Sequence, residues 1–159
     1  MRILLLAVGR LKAGPERDLF GRYIERAIAS ARSAGLTGVE ARELDESRAR
    51  RPEDRKAEEA RAIRALVPAG ARLILLDERG KSLTSEVFAA DFGKARDSGV
   101  PATVLVIGGP DGLDEDLRRS GAAIAFGAMT WPHQMVRIMA AEQIYRAITI
   151  LTGHPYHRV

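Results

Sequence analysis

The residues best suited to chemistry gather at the end of the chain. All three histidines, His133, His154 and His157, lie within the last 27 residues. Arg137, Arg146 and Arg158 share that stretch with Tyr145 and Tyr156. Cationic and aromatic groups set together can hold a phosphate and stack on an unpaired base. Glu142 and Arg146 stand four apart, the spacing at which two side chains on one helix face pair with each other. The histidines lack a regular His/carboxylate ligand spacing, so they point away from a metal site. The second candidate is Gly108-Gly-Pro-Asp-Gly112, directly after the apolar run Thr103–Ile107. Glycines let backbone N–H groups approach a ligand closely, and the same residues also suit a tight strand-to-helix turn. The segment is neither a GxGxxG dinucleotide fingerprint nor a P-loop, which needs a following Lys-Ser/Thr.

Other chemistries find no support. The absence of cysteine excludes a disulfide scaffold, an iron–sulfur cluster, a thiolate zinc site and a cysteine nucleophile. No Ser/His/Asp order and no carboxylate pair stands out, so hydrolase readings have no residues to rest on.

The elements that must position these groups follow from periodicity. Arg2–Val8, Arg72–Leu76 and Thr103–Ile107 are continuous apolar runs, the pattern of strands buried on both faces of a parallel sheet. Val39–Leu44 is a weaker strand, and Ala122–Phe126 a short last one. Helices are predicted from Pro15 to a stop at Gly35, from near Pro52 to Val67, from Thr84 or Ser85 to Ser98, over Asp114–Ser120 and over Gln134–Leu151. The alternation describes a single α/β domain over residues 1–159, a mostly parallel sheet flanked by helices. Ligands of such sheets bind beyond the carboxyl ends of strands. That places three loops at the site: after Leu76, after Ile107 and after Phe126.

Twelve of the eighteen residues from Gln134 to Leu151 are apolar and surround nearly the whole helix axis. A helix of that kind is buried on several sides. A homodimer about a two-fold axis is one way to cover it; a central position in a monomer is the other.

Asp45–Lys56 carries nine charged residues in twelve. It reads either as a solvated loop leading into a helix or as a basic element whose Arg48, Arg50 and Arg51 touch RNA phosphates. Over 159 residues, 25 Lys+Arg oppose 21 Asp+Glu, a net charge of +4 with 21 of the cations arginine. Arginine favours bidentate phosphate contacts, so a polyanionic partner fits, although +4 alone is slight. A chain of this length buries roughly 70% of its unfolded surface and needs no staple. Ile3–Val8 is too short for a signal or a membrane span, and a cytoplasmic location is expected.

Several of these segments together resemble one family. Ile3-Leu-Leu-Leu-Ala-Val-Gly-Arg-Leu-Lys12, Val106-Ile-Gly-Gly-Pro-Asp-Gly-Leu113, Met129-Thr-Trp-Pro-His-Gln-Met-Val-Arg137, Glu142-Gln-Ile-Tyr-Arg-Ala147 and His154-Pro-Tyr-His-Arg158 are similar, in order and over nearly the whole chain, to the ribosomal RNA large subunit methyltransferase H family of the SPOUT superfamily. The Gly-Gly-Pro-x-Gly-Leu and Pro-His-Gln-Met-x-Arg motifs are specific as a pair.

The resemblance implies a SPOUT-type α/β fold with a C-terminal trefoil knot, and a homodimer. It implies S-adenosylmethionine as cofactor, with neither metal nor membrane involved. The implied reaction methylates N3 of a pseudouridine in helix 69 of 23S rRNA, within the assembled ribosome. Carried over by motif, the cofactor contacts are Leu76, Gly108, Phe126, Gly127, Ala128, Met129, Thr130 and Trp131. Gly127-Ala128 departs from the bulkier or polar residues of some members, so the resemblance carries the pocket backbone further than individual side chains. His133, Tyr156 and His157 are candidates to take the N3 proton. Arg137 and Arg158 are candidates to position phosphate or stabilise the deprotonated base, with Glu142 orienting an arginine. The competing readings are a nicotinamide or flavin enzyme, a non-catalytic ribosome-binding module and a metal enzyme built on the three histidines.

Overall fold

The computed structural model describes residues 1–158. Five strands form one parallel sheet: β1 (Arg2–Val8), β2 (Gly38–Leu44), β3 (Arg72–Ser82), β4 (Ala102–Ile107) and β5 (Ala122–Ala125). Their spatial order is β2-β1-β4-β3-β5. The central β1 and β4 are the continuous apolar runs, because every residue of β4 and Ile3–Val8 of β1 is buried on one face or the other. Helices α1 (Pro15–Ser30), α3 (Ser85–Asp97) and α5 (His133–Leu151) cover one face, packed on Ile3, Leu5 and Ala7. Helices α2 (Pro52–Leu66) and α4 (Glu115–Arg119) cover the other, on Leu4, Leu6 and Val8.

Local chemistry sets the helix boundaries. Pro15 and Pro52 occupy the first turn of α1 and α2, where proline's missing N–H costs nothing. The Thr84 hydroxyl accepts from the Val87 N–H at the start of α3, and Asp114 accepts from the Asp116 and Leu117 N–H groups at the start of α4.

Two sequence expectations change. The first concerns α5, whose apolar circumference invited cover from a second chain. One chain already provides it: Ile138, Ala140, Ala141, Ile144, Tyr145, Ala147 and Ile148 are buried among the sheet, α1 and α3. The cover of α5 thus comes from its own chain, and its apolar circumference gives no argument for a partner.

The second concerns β3, expected to end at Leu76. It runs on to Ser82 through a register irregularity in which both Leu76 and Lys81 lie opposite Ile124. The polar run Asp77-Glu-Arg-Gly-Lys81 has a loop's composition, yet it returns to the sheet edge because Gly80 crosses the β5 backbone in near contact. A Cβ at Gly80 would lie 2.5 Å from the Ile124 carbonyl carbon and amide nitrogen. The short last strand also stops at Ala125, which leaves Phe126 to the loop.

Gly80→Ala is therefore expected to cost about 2–4 kcal/mol, because the clash is with backbone that cannot swing away. Urea unfolding checks this; an unchanged midpoint would show that β3 and β5 do not cross so closely.

Candidate functional site

A cavity of about 440 Å³ opens at the carboxyl ends of β3, β4 and β5. Leu76, Ile107, Ile124 and Val136 give it apolar walls, and the 108–112 loop and the 126–131 segment frame it. The first of these has no room for side chains on its packed side: a Cβ at Gly108 would meet Leu113 Cδ2 at 2.9 Å, and one at Gly109 would meet Glu59 Oε2 at 2.8 Å. The Gly112 N–H donates to the Gly109 carbonyl at 2.9 Å and tightens the turn. Across the opening, the Trp131 indole N–H donates to the Phe126 carbonyl at 3.1 Å and draws 126–131 into a hoop.

The polar part of the lining was not foreseen residue by residue. Asp77, Glu78, Asp111 and Glu115 line it beside Lys56 and Arg79, and Arg55 and Arg118 pair with Asp111 and Asp77, so the carboxylates of the wall are largely compensated. Asp77 lies between Arg118 Nε at 2.9 Å and Arg79 Nε at 3.3 Å. Burial raises its pKa, but the Arg79 backbone and side-chain hydrogen bonds and the Arg118 charge outweigh burial and hold the carboxyl below the usual range. The signal available in the sequence was the polar run directly after a buried strand.

The cavity gathers Leu76, Gly108, Phe126, Gly127, Met129, Thr130 and Trp131, together with His133 in the first turn of α5. Ala128 does not line it. Arg137 is one turn beyond His133 and only 4% exposed. Its Nη1 donates to Glu43 Oε1 at 2.9 Å, and its Nη2 donates to the carbonyls of Val8 and of Gly9, the latter at 3.0 Å. Expected to meet phosphate or substrate, the Arg137 guanidinium instead ties the start of α5 to the end of β1.

The remaining candidates lie at the other end of α5. Glu142 accepts from Arg146 Nε at 2.9 Å, Tyr156 Oη at 2.9 Å and Gln143 Nε2 at 2.7 Å. Tyr156 packs against Tyr145 at 4.7 Å between ring centroids and lies under the Arg146 guanidinium. Burial, then hydrogen bonding with Tyr23 and Glu142, pushes its phenol well above the ordinary value. His157 stands between Arg146 Nη1, 3.3 Å from Nδ1, and Glu86 Oε1, 2.9 Å from Nε2. Arginine can only donate, so Nδ1 accepts and Nε2–H donates to Glu86. Both ring nitrogens are thereby engaged, and His157 has no free lone pair for a proton in this arrangement. Arg158 is exposed. His133 and Arg146 are thirteen residues apart on one helix, about 20 Å at 1.5 Å per residue. The six candidates thus divide into His133 at the cavity, Arg137 behind it, and Glu142, Tyr156, His157 and Arg158 at the tail. The three histidines do not converge, and among the described residues no group of three or more His, Asp or Glu is set to hold a metal ion.

A family model described as "Predicted SPOUT methyltransferase" matches residues 1–157. Ribosomal RNA large subunit methyltransferase H of Methylocella silvestris is 59% identical over 159 residues, covering 99% of each chain. The protein of the same name from Rhodopseudomonas palustris is 57% identical over 159 residues, again covering 99% of each chain. The chain belongs to the ribosomal RNA large subunit methyltransferase H family. It is accordingly a SPOUT methyltransferase. A solved structure, the SpoU methyltransferase AviRb of Streptomyces viridochromogenes in complex with AdoMet, aligns with 92% of this chain and 57% of its own length, at 16% identity and a TM-score of 0.38. Among the described residues no helix is long and apolar enough to cross a membrane.

Beneath the Gly108–Gly112 loop of this methyltransferase lies Glu59, 6% exposed. The Ser47 N–H donates to its Oε1 at 3.0 Å. Burial is the largest influence and raises its pKa above the ordinary 4.5, with the hydrogen bond from Ser47 opposing. A carboxyl raised on folding contributes most stability below its unfolded value, and that contribution is lost as pH climbs through the folded value. Glu59→Gln is therefore expected to raise the urea midpoint near pH 7 and to match the parent chain below about pH 4. Equal stability at both pH values would show that the buried carboxylate is not under strain.

Proposed function

We propose that the chain is an S-adenosylmethionine-dependent methyltransferase of large-subunit ribosomal RNA, which methylates N3 of a pseudouridine in helix 69 of 23S rRNA on the assembled ribosome. The observation that carries this reading is the convergence of Leu76, Gly108, Phe126, Gly127, Met129, Thr130 and Trp131 on one cavity. Its volume lies within the range of small-molecule sites.

The residues present fit this cofactor. Gly108 and Gly109 let the loop seat directly on Leu113 and Glu59, so that backbone frames this side of the cavity. Leu76, Ile107 and Ile124 offer apolar walls to a ring, and the Asp77, Glu78, Asp111 and Glu115 carboxylates bring hydrogen-bond acceptors to the same lining. When bound, S-adenosylmethionine supplies an electrophilic methyl group on a sulfonium that departs as a neutral thioether. The leaving group needs no acid, so the protein's work is alignment and exclusion of water. The Phe126–Trp131 hoop borders the cavity, and His133, which also lines it, is the candidate of this reading to take the N3 proton.

The reading extends to a homodimer. A single chain holds the cavity and its tail candidates at opposite ends of α5, and the tail is tied to α5 and α3 through Glu142, Arg146 and Glu86. Exposed apolar groups stand at both ends: Met129 (76%), Trp131 and Met135 by the cavity, Leu83 and Val87 beside Glu86. An isologous contact lets each patch meet its counterpart and brings Arg158 of one copy to the cavity of the other. Threading of the C-terminal part in a trefoil knot, a single domain over residues 1–159 and a cytoplasmic location complete the proposal; the Gly80 crossing of Ile124 is the feature that supports the knot.

The test is incubation with labelled S-adenosylmethionine and ribosomes from a strain lacking the modification, followed by mass spectrometry of 23S rRNA. One methyl on N3 of a helix 69 pseudouridine is expected; no label in 23S rRNA would contradict the reading. In solution the expected mass is twice the 17.3 kDa of one chain, and a monomer by light scattering would overturn the dimer.

A further inference from the structure

Outside the cavity, the segment between β2 and α2 and the first turns of α2 mix acids with arginines, and only some of them pair. Asp45 pairs with Arg10 at 2.7 Å, Asp54 with Arg51 at 2.9 Å, and the Glu58 carboxylate accepts from the Ser47 hydroxyl. Arg48 and Arg50 are exposed, and among the described residues neither makes an ion pair, although Asp45 lies close enough to feel the Arg48 charge. Glu46 in the segment, and Glu53 and Glu58 in α2, likewise make no ion pair among the described residues.

This segment is not a loose loop. The Arg55 guanidinium, at the start of α2, donates through Nη1 to the carbonyls of Ala49 and Arg50, both at 3.0 Å. Its other edge donates to Asp111, from Nε at 2.6 Å and Nη2 at 3.0 Å. Asp111 lines the cavity within the Gly108–Gly112 loop. One planar cation thus ties the backbone carrying Arg48 and Arg50 to the loop that frames the cavity. A bidentate arginine–carboxylate pair is a directional, charge-assisted contact. The Ser47 N–H, held by Glu59 under the same loop, fixes the segment at a second point.

We propose that residues 47–51 form a phosphate-binding arm. On this view Arg48 and Arg50 grip the RNA backbone beside the target nucleotide, and the Arg55–Asp111 pair sets the arm's position relative to the cavity. The arm rests on the RNA methyltransferase reading above and adds to it the part of the protein that holds the RNA chain. Two fixed-charge guanidiniums on a fastened backbone suit phosphate oxygens, whose recognition is independent of base identity. Binding of this kind releases counterions, so it is read in the salt dependence of affinity.

The test compares the parent chain with the double variant Arg48→Ala/Arg50→Ala, and with Arg48→Lys/Arg50→Lys, on ribosomes lacking the modification. For the alanine variant the apparent KM for ribosomes should rise about tenfold while S-adenosylmethionine affinity holds. The slope of log affinity against log salt should fall by about one for each phosphate left without its arginine. The lysine variant should recover most of the salt slope, because it keeps the charge. An alanine variant with unchanged KM and salt slope, acting on ribosomes that the parent chain methylates, would overturn the arm alone. A parent chain that neither binds S-adenosylmethionine nor labels rRNA would instead remove the reading on which the arm rests.

Discussion

The burial of α5 is the constraint on which the arrangement of the site depends. Its apolar faces are enclosed by the sheet, α1 and α3, and a rod packed on several sides neither bends nor slides without opening voids in the core. Arg137 fixes the rod lengthwise by donating from its second turn to the last carbonyls of β1. The guanidinium is buried and cannot be withdrawn cheaply, because the Val8 and Gly9 carbonyls would lose their donor and Glu43 its counter-charge. The cavity therefore stays at one end of the helix and the Glu142–Arg146–Tyr156–His157 cluster at the other. Any joint action by the two requires a second chain.

Charge compensation organises the cavity end in the same way. Glu59 lies under Gly109, Asp77 is enclosed by Arg79 and Arg118, and Asp111 is held by Arg55. Each carboxylate is placed where it braces a backbone segment of the frame. The cost in stability falls on Glu59, whose pKa is raised by burial, whereas Asp77 and Asp111 are held below the usual range by their arginines. The gain is a braced backbone frame around the pocket, the preorganisation that methyl transfer needs most.

Much of this was legible in the sequence, for physical reasons. The continuous apolar runs of β1 and β4 read as buried parallel strands, and the rule that ligands lie beyond strand carboxyl ends selected the loops after Leu76, Ile107 and Phe126. The first of these is instead the continuation of β3. Motif resemblance then named the lining residues, of which Ala128 is the exception. Hidden were the features that depend on packing between distant segments. The composition of Asp77–Lys81 is that of a loop, and only the proximity of Gly80 to Ile124 reveals a continuing strand. An apolar circumference on α5 does not say whether the same chain or another covers it. Nor does a motif arginine disclose that it donates to two buried carbonyls, as Arg137 does.

Division of the site between two copies is tested most directly by complementation. One chain carries Thr130→Trp, which fills the cavity from an exposed position; the other lacks residues 154–159. Each alone should be inactive on ribosomes lacking the modification. Mixed and allowed to exchange, they should recover about a quarter of the parent activity, since half of the dimers then hold one intact site. Full activity of the tail-less chain by itself, or no recovery in a mixture shown to contain heterodimers, would contradict a site shared between chains.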